Sequence, residues 1–297
     1  MKKNGMPVDE KVFANFVKQD PWSALDWIKE NPNLSRDMYG RSDRTTDILI
    51  STLLRENPGD LEKLAADTPA GAVRRKMEQA LFDHLLETDP EKAMEQAKAT
   101  KVPLMAAQRL GQIGLGFVGT DPEKAFGIAK EVLAASPDSL KIDSMVYYPG
   151  GGRGYGDNSK ASQLMSALFT KDRERTMNLI AAQTDVSGKY SESLANLSRK
   201  WLEDDSEGFS KWAGGTTGKT LETASSQISF HLAQRGLFTE AADWAAAGGQ
   251  DAGQAYYGLL HYWKQSDPAA AAEWLESADL TDGQKANYRG ILNRSNP

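Results

Sequence analysis

The chain has 297 residues, 40% of them hydrophobic and 26% charged, with a formal net charge of -6. That length and composition allow a substantial buried core, while the acidic balance argues against duplex nucleic acid, whose phosphates require a concentrated basic face. With no cysteine, disulfides, thiolate metal sites and a cysteine nucleophile are all excluded.

The N-terminal MKKNGMPVDE carries two lysines with no apolar run behind them, and no later segment approaches the ~20 apolar residues of a membrane span. A soluble chain is expected, cytoplasmic as it stands, or periplasmic or exported if a signal segment has been removed. His84, His231 and His261 stand far apart, outside any metal-binding spacing, so no metal and no cofactor is expected.

From residue 20 onward one pattern recurs. DPWSALDWI at 20 is followed by NPGDLEKLA at 57, DPEKAMEQA at 89, DPEKAFGIA at 121, DRERTMNLI at 172, DSEGFSKWA at 205, LFTEAADWA at 237 and DPAAAAEWL at 267. All but one of the intervals lie between 30 and 37 residues; the interval from 121 to 172 is 51. The consensus D-P-x-x-A-x-x-W describes a helix start. Asp, or Asn57, is an N-cap that accepts from an orphan first-turn amide, and Pro at the first helical position loses no hydrogen bond. The glutamates Glu91, Glu123, Glu174 and Glu207 sit favourably at the positive end of the helix dipole. Four residues after the cap comes a small side chain (Ala24, Ala93, Ala125, Ala241, Ala271), and three later a large one (Trp27, Leu64, Ile128, Leu179, Trp212, Trp244, Trp274), predicting one i, i+3 stripe.

Before each cap a second stripe predicts a partner helix. Phe16, Leu53, Leu85, Phe117, Leu168, Trp201, Ala233 and Trp263 lie four before the cap; Val12, Leu49, Leu81, Ile113, Leu164, Leu197, Ser229 and Leu259 lie eight before it. The unit is a helix hairpin of about 32 residues that must stack on its neighbours to bury both stripes.

The long interval places a Gly- and Tyr-rich insertion at 137–159, between N-terminal repeats over 1–136 and C-terminal repeats over 160–297. Ile142 to Tyr148 is the one stretch with strand character. Tyr147, Tyr148, Arg153 and Tyr155 are of types that anchor interfaces, and the insertion either folds back over its own helices or touches a partner or lines the concave face.

Residues 213–220, AGGTTGKT, match a loose phosphate-loop pattern. A working phosphate loop follows a buried strand and opens a helix. Here a capped repeat helix precedes the glycines, so the match is read as chance. Gly214, Gly215 and Gly218 are expected to form a helix end and a turn, with Thr220 as the next cap. Further on, in YYGLLHYWK at 256–264, Leu259, Leu260 and Trp263 fit the core stripe, whereas Tyr257, His261 and Tyr262 point elsewhere, either between hairpins or toward a partner. Finally Thr281 to Gln284 reads as a capping box that opens a last helix over 281–293.

The chain therefore resembles the TPR-like helical-repeat family, and more closely bacterial solenoid proteins built from D-P-x-x-A-x-x-W hairpins, over residues 8 to 295. The resemblance implies an all-α fold: an α-solenoid, a right-handed superhelix of about eight hairpins closed by a capping helix. It also implies a non-enzymatic scaffold that binds a protein or peptide, and it supplies no catalytic residues. The alternative is an enzyme, or an enzyme accessory, acting on a glycan through an acidic groove. Paired carboxylates, one with a raised pKa, are what that alternative requires.

Overall fold

Asp-Pro pairs break the chain into helices where the sequence places them. In a computed structural model, which describes residues 8–31, 44–136, 140, 146–147, 153–154, 159–187, 191–249 and 253–293, the regular elements among the described residues are helices apart from one pair of two-residue strands. Two compact units, residues 1–96 and 97–297, are distinguished.

The first unit holds α1 (Glu10–Gln19), α2 (Pro21–Glu30), α3 (Arg44–Glu56), α4 (Pro58–Asp67) and α5 (Ala72–Thr88); α6 (Pro90–Lys98) carries the boundary. Its core joins Phe13 and Val17 of α1, Ala24 and Ile28 of α2, Leu49 and Leu53 of α3, and Leu61 and Leu64 of α4. Neighbouring helices pack pairwise, α1 on α2 and α3, and α4 on α5.

The second unit holds α7 (Pro103–Phe117), α8 (Pro122–Ala135), α9 (Lys160–Lys171), α10 (Arg173–Ser187), α11 (Ser191–Asp204), α12 (Ser206–Gly214), α13 (Gly218–Gln234), α14 (Phe238–Ala247), α15 (Gly253–Ser266), α16 (Pro268–Ser277) and α17 (Asp282–Leu292). The helix before each cap packs on the helix after it and, in α7–α9, α11–α13 and α13–α15, on the next such helix. The closest of these approaches is made by glycines. A Cβ on Gly111 of α7 would lie 2.6 Å from the backbone nitrogen of Ala161 in α9, and one on Gly114 would lie 2.6 Å from Leu164.

The caps form as the sequence predicts at Asp20, Asp89, Asp121, Asp172, Asp205 and Asp267, whose carboxylates accept from the backbone N–H three residues on. Asn57 differs: it heads α4, but its side-chain amide donates to Asp60 at 2.7 Å rather than accepting from the helix. The hairpin at 237 has no Asp-Pro and solves the junction another way. Gly236, at φ +76°, ends α13 in a Schellman turn, with Leu237 N–H donating to Leu232 O and Gly236 N–H to Ala233 O. Thr281 and Gln284 form the expected capping box.

Burial bears out the expected stripe four after the cap and shifts it in part further on. The residues four after each cap, Ala24, Leu61, Ala93, Ala125, Thr176, Phe209, Ala241 and Ala271, are all fully buried, whether small or large. Their buried partners stand four further on, at Ile28, Ala65, Ala97, Ala129, Ile180, Ala213, Ala245 and Leu275. Of the large residues seven after the cap, Leu64, Ile128 and Trp212 are buried as expected, whereas Trp27, Leu179, Trp244 and Trp274 are only half-buried. An i, i+4 pair drifts less around the helix axis than an i, i+3 pair in the opposite sense, so the tightly apposed line follows the former and a ring wide enough to lean in sits beside it. In α1 the same adjustment buries Phe13 and Val17 and leaves Val12 exposed.

Between α8 and α9 the strand character expected near Ile142 to Tyr148 takes the form of β1 (Val146–Tyr147) paired antiparallel with β2 (Arg153–Gly154), a register that sets Tyr147 opposite Arg153. Leu140, just before it, is buried, and its carbonyl accepts from Ser193 Oγ of α11 at 2.9 Å.

Candidate binding surface

The expected site residues fall in two places. Tyr147 and Arg153 lie on β1 and β2, while Tyr148 and Tyr155 lie outside the described residues. Tyr257 and Tyr262 lie on α15, where Tyr262 meets Phe230 of α13 and Tyr257 is exposed.

The α15 helix turns Ala255, Tyr256, Leu259, Leu260 and Trp263 into the core and leaves Tyr257 and His261 exposed, with Gly258 half-buried and Tyr262 half-buried against the edge of that core. Burial beneath this surface is tight: Trp263 stacks on Phe238 at 5.2 Å, and Tyr256 packs against Trp274 and Tyr288. Burial also raises the Tyr256 hydroxyl above the ordinary phenol range, with smaller contributions from Tyr288 and Asp279, and burial raises Tyr288 as well. Both phenols stay neutral through the physiological range.

On the outer side, Phe230 of α13 leans across to α15. Its ring packs edge-on against Tyr262 at 5.4 Å and lies over Gly258, where a Cβ would come within 3.1 Å of it. Gln234 Nε2 donates to the Tyr262 hydroxyl at 3.1 Å, and His261 meets the Tyr262 ring edge-on at 5.5 Å. Gln265 shares a 3.0 Å hydrogen bond with His261, and Arg235 one of 3.5 Å with His231. Tyr257 is 51% and Phe230 41% exposed. Both are two-torsion side chains, and Phe230 is already held by Tyr262, so it loses little freedom when something covers it.

Phe230 was not among the expected residues. The available signal is its place in SQISFHLAQ: it stands one residue off the buried Ser229–Ala233 line, so a large apolar side chain is directed away from the core.

The phosphate-loop look-alike resolves into helix, turn and helix. The helix α12 ends at Gly214, capped by Gly215, and α13 begins at Gly218 with φ +59°. Lys219 pairs with Glu222 on its own helix at 2.5 Å. The expected cap at Thr220 is corrected: Thr220 is the third residue of α13 and is buried, and Thr217 holds the N-cap position without a side-chain bond. The cap is supplied from elsewhere, since Asp185 Oδ1 of α10 accepts from Thr220 N–H at 2.8 Å, and the Thr220 hydroxyl turns to Ala181 O.

The carboxylates with displaced pKa values, Asp20, Glu56, Glu123, Asp205 and Glu276, are all held below the ordinary range, chiefly by hydrogen bonds from Ser23, Lys18, Arg175, Gly208 and Arg289 respectively. They work as caps and ion-pair members. A general acid needs the opposite displacement. Among the described residues no group of acidic and histidine side chains is placed to hold a metal ion, and no helix is long and apolar enough to cross a membrane.

Comparison with known proteins finds no matching family model, no significant match among curated proteins and none among solved structures.

Proposed function

We propose that the chain is a helical-repeat protein of α-solenoid type that serves as a non-enzymatic scaffold, binding a protein or peptide on the first-helix surface around Phe230, Tyr257 and Tyr262. The repeat reading is supported by the equivalence of the capped hairpins: each buries the residues four and eight after its cap. Polar links between neighbouring hairpins recur at the repeat spacing. Lys98 pairs with Glu131 across 33 residues, Arg173 with Asp204 across 31, and Trp212 Nε1 donates to Asn178 across 34. Arg175 grips Glu123 across 52 residues, which matches the one long interval and supports reading 137–159 as an insertion.

The observation that carries the binding reading is the exposure of Phe230 on α13 and Tyr257 on α15, with Phe230 packed edge-on against the half-buried Tyr262. Repeat scaffolds bind through such surfaces of successive helices rather than through one cleft. The test compares the intact chain with a Phe230→Ala/Tyr257→Ala double variant and with Glu174→Ala, an exposed second-helix control, in affinity purification followed by quantitative mass spectrometry. A partner retained by the intact chain and the control, and lost by a double variant of unchanged circular dichroism, is the expected result. Equal retention by the double variant overturns the assignment of the surface, and specific retention of nothing overturns the scaffold reading.

A further inference from the structure

No further inference is drawn: the strongest candidate, the aromatic patch of Phe230 on α13 with Tyr257 and Tyr262 on α15, belongs to the surface already described, and nothing in the structure shows what covers it.

Discussion

Asp185 caps a helix that begins more than thirty residues after it: its carboxylate accepts from the backbone N–H of Thr220, 35 positions downstream, at 2.8 Å. The contact joins the end of α10 to the start of α13, across the hairpin formed by α11 and α12. It does locally what an N-cap side chain does, satisfying an amide that α13 itself leaves unpaired.

Replacing Asp185 with Ala therefore leaves the first turn of α13 without its acceptor, at a cost of about 1 kcal/mol. Amide hydrogen exchange at Thr220 is expected to accelerate several-fold, with far less change in α15. Asp185→Asn, which keeps an acceptor oxygen, should recover most of the protection. Thr217→Ala, removing a side chain that makes no cap bond, is expected to change little. Unaltered exchange at Thr220 in Asp185→Ala would show that water replaces the carboxylate at no cost.

The position four after each cap gives a paired test of packing. Phe209 and Ala241 are equivalent and both fully buried. Phe209→Ala opens a cavity beside Trp201 and Trp212, whose rings lie 5.6 and 5.4 Å from it, and should destabilise by about 3–5 kcal/mol. Ala241→Leu overfills the α14 contact and should cost about 1–3 kcal/mol. Urea unfolding followed by far-ultraviolet circular dichroism reads both, and an unchanged midpoint in either variant contradicts the stripe.

Glycine substitutions separate close approach from simple helix propensity. Gly111→Ala places a methyl group against the backbone of Ala161, where nothing can rotate away, and should force α7 and α9 apart. Gly116, on the same helix, has nothing within 4 Å of an added Cβ, so Gly116→Ala should stabilise by about 0.5–1 kcal/mol. Thermal melts of the two variants are expected to move in opposite directions.

The pH dependence follows from the lowered carboxylates. A group whose pKa is lower folded than unfolded contributes stability that is present above its unfolded pKa and lost as pH falls through its folded value. Asp20, Glu56, Glu123, Asp205 and Glu276 all share this sign. Stability should be flat with respect to these groups from neutral pH down to about pH 5 and decline below about pH 4. Glu123→Gln should make that acid limb shallower, because it removes one of the titrating groups. Denaturant midpoints measured from pH 7 to pH 3 check the sign, and a rise in stability on acidification would contradict it.

The helix starts were legible in the sequence because their signals are local. An Asp accepting from an amide three residues on, a Pro that needs no hydrogen bond, and a capping box at Thr281 and Gln284 act within one helical turn, so spacing alone located those helix starts. Periodicity also marked which faces are apolar. It missed the buried line by one residue, at Val12 against Phe13 and at Trp27 against Ile28, because several residues around a helix are apolar and only the neighbouring helix selects among them.

The surface illustrates the same division. That Tyr257 and Tyr262 lie off the core stripe follows from their positions on α15, but the partners of Tyr262 come from α13, and Phe230 reaches it where Gly258 leaves room for its ring. Asp185 is the clearest case. Nothing near Thr220 in sequence announces a cap, since the acceptor arrives from another helix. The sequence by itself thus determined the helical class, the helix boundaries at the Asp-Pro pairs and the period, all consequences of hydrogen bonds and apolar spacing within a few residues. Tertiary structure alone decided which of the neighbouring apolar residues forms the tightest line, which aromatic rings meet, and which distant carboxylate ends a helix, because those depend on how closely two backbones can approach.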